Sequence, residues 1–173
     1  MKILIVQLTR FGDVLCTLPI LAALRRENPS AQLHFLVFLS FSAPAEGLPY
    51  IDHLWNLDSK KILGGFVTNN ATVNEALPAL SAFVHQLRKE KFDRIINLSF
   101  SPSSSFLTHM ISEGGKVPVT GYTRTADLYL HSPDQASRYF RAHVGTDRTN
   151  RLHVIDLFAW VAGVTLKPSD CHI

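Results

Sequence analysis

At 173 residues with 46% hydrophobic side chains, the chain is long enough to bury one ordinary core, and its composition excludes a disordered, collagen-like or disulfide-scaffolded protein. Seventeen basic and 14 acidic residues leave a net charge of +3, a mild excess that suits anionic partners and does not point to nucleic acid. Cys16 and Cys171 make no disulfide framework, the first apolar run is too short for a signal peptide, and no stretch reaches the roughly 18 apolar residues of a membrane span, so the expected location is the cytoplasm.

The chain opens on a continuous apolar run, residues 2–8, which reads as a strand buried on both faces. It passes through Thr9-Arg10-Phe11-Gly12-Asp13 into a helix predicted to begin near Val14. There Val14, Leu15, Leu18, Leu21, Ala22 and Leu24 cover one side, and Asn28-Pro29 ends the helix. Strands follow at 33–38 and 53–57. Residues 39–50, with Pro44, Gly47 and Pro49, and residues 59–74, with Gly64, Gly65, Asn69 and Asn70, read as long surface loops. Leu77, Leu80, Phe83, Val84 and Leu87 recur at helical steps up to the basic cluster Arg88-Lys89-Glu90-Lys91, which suits a helix C-terminus. A strand at 94–98, a shorter helix from Ser103 to Ile111 stopped by Gly114-Gly115, and a strand at 117–120 continue the alternation. Leu152 to Val164 is a helix apolar almost all round, a pattern that asks to be covered. Strands alternating with helices imply βαβ units, hence one Rossmann-like α/β domain over residues 1–173: a parallel sheet with helices on both faces.

Such a sheet places its chemistry at the carboxyl ends of the strands, in front of the following helices, and Asp13 falls there. Two readings stand together. As a helix N-cap, Asp13 would contribute about 1 kcal/mol. As a carboxylate oriented and kept ionised by a helix N-terminus, it can also take a proton from a hydroxyl nucleophile. Gly12 beside it would allow close approach of a ligand or a positive φ. Ser99, Ser101, Ser103, Ser104 and Ser105, around Pro102, read as a turn and helix cap, or as hydroxyls lining the crevice. Arg138, Arg141, Arg148 and Arg151 read as a solvated basic face, or as contacts for the phosphates or carboxylates of an acidic sugar. The eight histidines have no metal-binding spacing and are expected at the surface or at edges. The absence of Gly-x-Ser-x-Gly, Walker and Gly-x-Gly-x-x-Gly motifs argues against a hydrolase elbow, an NTPase and a classical NAD domain.

The run from Ile3 to Pro19, with Thr9, Gly12-Asp13-Val14, Thr17 and Pro19, resembles the opening of the lipopolysaccharide heptosyltransferases, glycosyltransferase family 9. The likeness continues through Leu21 to Pro29, Gln32 to Val37, Phe92-Asp93-Arg94-Ile95-Ile96-Asn97-Leu98, Val119 to Tyr122 and His153 to Val164. Arg10 and Phe11 depart from it, standing where that family often has a small hydroxyl residue and an aliphatic one. The resemblance implies the N-terminal, acceptor-side domain of a GT-B glycosyltransferase, with the C-terminal donor-binding domain absent from this chain. It implies inverting transfer of heptose from ADP-heptose to the lipopolysaccharide inner core, with Asp13 as general base and Thr9, Arg10, Gly12 and Ser101 on the acceptor. No cofactor or metal is then expected. The partners would be the lipopolysaccharide core acceptor and the nucleotide-sugar donor, with peripheral contact at the inner face of the inner membrane. The 173 residues alone would be inactive. The alternatives are a stand-alone, non-catalytic Rossmann-like binding or partner domain, or another sugar-nucleotide enzyme with a similar opening.

Overall fold

Strands that are apolar at every position need cover on both faces, and here they receive it. In the computed structural model, which describes residues 1–62, 73–145 and 149–171, β1 (Lys2–Gln7) pairs in parallel with β2 (Gln32–Phe38) on one side. On its other side it pairs with β4 (Arg94–Asn97). β3 (His53–Leu57) lies outside β2, and β5 (Val119–Gly121) outside β4, giving a parallel sheet of order β3-β2-β1-β4-β5.

The helices in chain order are α1 (Phe11–Glu27), α2 (Val73–Lys89), α3 (Pro102–Ile111), α4 (Gln135–His143) and α5 (Val154–Ala162). Alternate side chains of each strand serve opposite faces. Ile3, Ile5, Leu33 and Phe35 pack with Leu18, Leu21 and Leu24 of α1, Ala136 of α4 and Phe158 of α5. Leu4, Val6, Leu36 and Ile95 pack with Val84 and Leu87 of α2 and Leu107 and Ile111 of α3. The expected architecture, a parallel α/β sheet with helices on both faces, is present. No helix among the described residues is long and apolar enough to cross a membrane.

Several boundaries and elements differ from the sequence reading. α1 begins at Phe11, not near Val14, because the Arg10 carbonyl already accepts the N–H groups of Asp13 (3.0 Å) and Val14 (3.1 Å). Phe11 and Gly12 are exposed, so the first turn carries no apolar periodicity to betray it. α4 and a small antiparallel hairpin, β6 (Thr123–Arg124) with β7 (Leu130–His131), went unforeseen. The signal for α4 was Asp134, whose carboxylate caps the helix by accepting the Ser137 N–H at 2.7 Å. Residues 39–50 are not wholly irregular: Leu39–Phe41 and Ala43–Ala45 form short 3-10 turns. Of the second expected loop, residues 59–62 are helical, residues 73 and 74 belong to α2, and 63–72 lie outside the described residues. α5 is covered by its own domain, with Leu157, Phe158 and Val161 buried toward α1 and α4, and its flank Trp160 set against the Tyr139 ring. His34, expected at a surface or edge like the other histidines, is instead fully buried in β2.

Candidate functional site

The chain leaves β1 toward β2 and β3, then returns across the sheet to β4, so the strand order reverses between β1 and β4. At such a switch point the loops after the two strands diverge and leave a crevice at the sheet's carboxyl edge. A cavity of about 280 Å³ opens there. Thr9, Arg10 and Asp13 line it from the β1 side, and Leu98, Ser99 and Phe100 from the β4 side. Phe140 of α4 and Val154 and Phe158 of α5 complete the wall.

Asp13 is the third residue of α1, and Arg10 is the N-cap, so the carboxylate does not cap from the position first considered. It makes the reciprocal bond instead: one oxygen, Oδ2, accepts the Arg10 N–H at 3.2 Å. That bond aims the side chain. Its other oxygen has no hydrogen-bond partner among the described residues, and the side chain is half-buried in the crevice wall. The Arg10 side chain lines the crevice beside it, so the crevice holds one open carboxylate oxygen and one cation.

The loop that carries them is tied down by polar side chains at the strand ends. Gln7 is fully buried. Its amide nitrogen donates to the Thr17 Oγ1 and the Leu98 carbonyl, each at 3.3 Å, while its amide oxygen accepts from the Thr9 hydroxyl at 2.5 Å. The Thr17 hydroxyl in turn donates to the Asp13 carbonyl at 2.8 Å. Across the crevice, the Ser99 Oγ accepts the Leu8 N–H at 2.7 Å and donates to the Val6 carbonyl at 3.3 Å. Buried Asn97 accepts the Ser99 N–H at 3.0 Å and donates to the Tyr122 carbonyl at 2.8 Å. Ser99, one of the serines read as possible crevice hydroxyls, does line the crevice, whereas Gln7 and Asn97 were not singled out as site residues. A polar residue closing an apolar strand, as Gln7 closes Ile3-Leu4-Ile5-Val6, was the available signal, because a buried amide must find partners.

The remaining expected site residues divide. Thr9 and Arg10 line the crevice with Asp13. Gly12 does not: it is exposed and helical, and a Cβ added there would meet nothing within 4 Å, so neither close approach nor a positive φ explains it. Ser101 is the N-cap of α3, its Oγ accepting the Ser104 N–H at 3.1 Å, and it stands outside the crevice lining. The cap reading of the serines therefore describes Ser101. Cys16, one turn beyond Asp13, has its thiol pushed above the ordinary range by burial and then by the Asp13 charge, which makes it a poor nucleophile. Among the described residues no group of three His, Cys, Asp or Glu side chains converges as a metal site would.

A second cavity, about 340 Å³, lies on the α2 and α3 face between Leu8, Phe38, Leu57, Leu80, Leu107 and Met110. Among the described residues its lining is apolar but for three serines, Ser59, Ser103 and Ser104, with no titratable side chain.

No family model matches the chain, and no curated protein does. Solved structures do. Over 95% of its length the chain superposes on 42% of a glycosyl transferase family 9 protein from Veillonella parvula, with a TM-score of 0.65 and 24% identity. Over 97% it superposes on 50% of E. coli heptosyltransferase WaaC with ADP-2-deoxy-2-fluoro heptose, at TM-score 0.63 and 19% identity. The same enzyme with ADP gives 18% identity and the same TM-score. The chain thus shares the α/β fold of the matched part of these structures and spans about half of their length. The likeness to glycosyltransferase family 9 read from residues 3–19 reappears at the level of the fold.

Proposed function

We propose that this domain is the acceptor side of an inverting glycosyltransferase that moves heptose from ADP-heptose to the lipopolysaccharide inner core, with Asp13 as general base. The observation that carries the reading is the open Asp13 carboxylate oxygen, aimed by its bond to the Arg10 N–H into the crevice between β1 and β4. The fold shared with solved heptosyltransferases supplies the context. An acceptor hydroxyl brought within about 3 Å of that oxygen would give up its proton to Asp13. The acceptor oxygen would attack the anomeric carbon as the bond to the diphosphate breaks and ADP departs. One displacement inverts the centre. Thr9 and Arg10 would orient the acceptor's hydroxyls, Arg10 by donating from its guanidinium N–H groups and Thr9 through its free lone pairs. The donor would sit on a second half of the kind that completes the longer solved structures, and the acceptor's lipid anchor would bring the protein to the inner face of the membrane.

Holding two reactants in line accounts for about 7–11 kcal/mol of such a barrier, so half a site should not transfer sugar. The test is an assay of transfer from ADP-heptose to a lipopolysaccharide-core acceptor, run on residues 1–173 and on a chain that joins them to a donor-binding half. Turnover is expected in the second case alone. In that active form Asp13→Asn should lower kcat by about 100- to 10,000-fold, while the melting temperature moves by no more than loss of about 1 kcal/mol allows. Near-normal turnover would reduce Asp13 to a helix-capping role. Turnover by residues 1–173 alone would overturn the half-site reading, and turnover by neither would favour a binding domain without catalysis.

A further inference from the structure

The two walls of the crevice differ in kind. Thr9, Arg10 and Asp13 make the β1 side polar and charged. The β4 side is an aromatic bank, with the Phe100 ring stacked on Phe140 at 3.7 Å between centroids and 7° between planes; the Tyr122 ring, outside the lining, stands perpendicular to Phe100 at 4.9 Å. Phe158, which also lines the cavity, is near-parallel to Phe100 with its centroid 6.4 Å away.

Phe100 is held there at a cost to its backbone. Its φ is +46°, in the left-handed region that a bulky side chain avoids and glycine would occupy without strain. Strain of this sort persists where surrounding contacts over-determine it, and it gathers at ligand sites. The ring is also not fully used as core: it remains half-buried and faces the cavity that Asp13 lines. An aromatic ring immobilised by stacking presents a fixed, electron-rich face to the crevice.

A pyranose has the matching anatomy. Its hydroxyls radiate from the ring edge, whereas its axial C–H bonds carry a slight positive charge on the ring faces and favour the negative face of an aromatic. We infer that Phe100, backed by Phe140, is a specificity-determining platform that takes the C–H face of a neutral pyranose while the polar wall reaches its edge hydroxyls. This deepens the acceptor-side reading of the crevice and rests on it. An anion would find the arrangement poor, since one wall is hydrocarbon and the other already holds a carboxylate beside Arg10. At this left-handed position the Phe100 side chain meets α4 at Phe140.

The experiment uses residues 1–173 with ring-labelled phenylalanine and methyl β-D-glucopyranoside, a ring with only axial hydrogens on both faces, at millimolar concentration. Inorganic phosphate is the competing probe. Expected are saturation transfer to the axial ring protons, intermolecular contacts from those protons to the Phe100 ring, and no displacement by equimolar phosphate. Phe100→Leu keeps bulk and apolar packing but removes the aromatic face, and should weaken binding at least tenfold with an unchanged far-UV spectrum. A packing role alone would survive that change. Phe106→Leu, at an exposed aromatic outside the crevice lining, is the control and should leave pyranoside affinity within about threefold. Retained transfer by Asp13→Asn in the joined chain would sink the base while leaving the platform. Equal binding by Phe100→Leu, absence of contacts to the Phe100 ring in the unaltered chain, or phosphate binding in place of the sugar would each overturn the proposal. The ring contacts are read on the unaltered protein, so a misfolded variant cannot hide the answer.

Discussion

His34 shows how a single side chain can set the pH limits of a fold. It lies in the middle of an apolar strand, fully buried, with its ring 4.4 Å from that of His53 and edge-on to Phe92 at 5.1 Å. Its Nδ1 accepts the Trp55 indole N–H at 3.0 Å, so the proton sits on Nε2, which is buried without a partner among the described residues. Burial first, and then the nearby His53, push its pKa from 6.5 down to about 4; Lys2 acts in the same direction, and Glu90 and Asp52 oppose. The unfolded chain therefore binds a proton at a pH where the folded one refuses it. The contribution is intact above about pH 6.5 and is lost progressively as the pH falls from there toward 4. Between pH 7 and 5 this one residue should remove about 2 kcal/mol of stability. His34→Gln keeps an acceptor for Trp55 and cannot titrate, so urea denaturation should show a shallower acid decline than in the unaltered protein. Identical declines would move the acid sensitivity elsewhere. The sequence held a clue, since His34 is flanked by Leu33 on one side and by the apolar run Phe35-Leu36-Val37 on the other, whereas histidine spacing carried none.

At the scale of elements, the crevice depends on how the ends of β4 and β5 meet. Gly121 pairs with Asn97 and has a φ of +88°, and a Cβ built on it would fall 1.9 Å from the Asn97 carbonyl oxygen. Its N–H donates to the Asp134 carboxylate at 2.8 Å, which links β5 to the cap of α4. Gly121→Ala must therefore displace backbone that supports Ser99 and Tyr122, and should cost at least about 2 kcal/mol by chemical denaturation. Gly12→Ala is the counterpart, in open space with helical backbone, and should stabilise by about 0.5–1 kcal/mol. An unchanged midpoint for Gly121→Ala, or a lowered one for Gly12→Ala, would contradict these assignments. Composition could not tell the two glycines apart. The distinction depends on what a neighbouring strand places beside each of them.

The five-stranded parallel sheet has a core on each side, and neither core can be lost alone. Leu4 and Ile5 are neighbours in β1, both fully buried, and face opposite helix layers. Leu4→Ala and Ile5→Ala should each cost about 2–5 kcal/mol. Both should unfold in one transition, with far-UV ellipticity and tryptophan fluorescence coinciding, because the strand that carries one core carries the other. Separated transitions would show that the α2 and α3 layer melts independently.

Much of this architecture follows from the chain's local chemistry. Short runs apolar at every position can only be strands covered twice, helices with an apolar stripe supply the cover, and right-handed crossovers between them yield a parallel sheet. By the same logic Asp13 falls at a strand's carboxyl end before any coordinate is known. Other features required the tertiary structure, because their partners are distant in the chain. The bond from the Leu8 N–H to Ser99 spans 91 residues, and the aromatic bank gathers Phe100, Phe140 and Phe158 from three elements. Whether a serine is spent on a cap, as Ser101 is, or on clamping two strand ends, as Ser99 is, depends on which backbone group lies opposite it. Periodicity carries no record of that, since burial patterns report which face a side chain takes and not what it meets there.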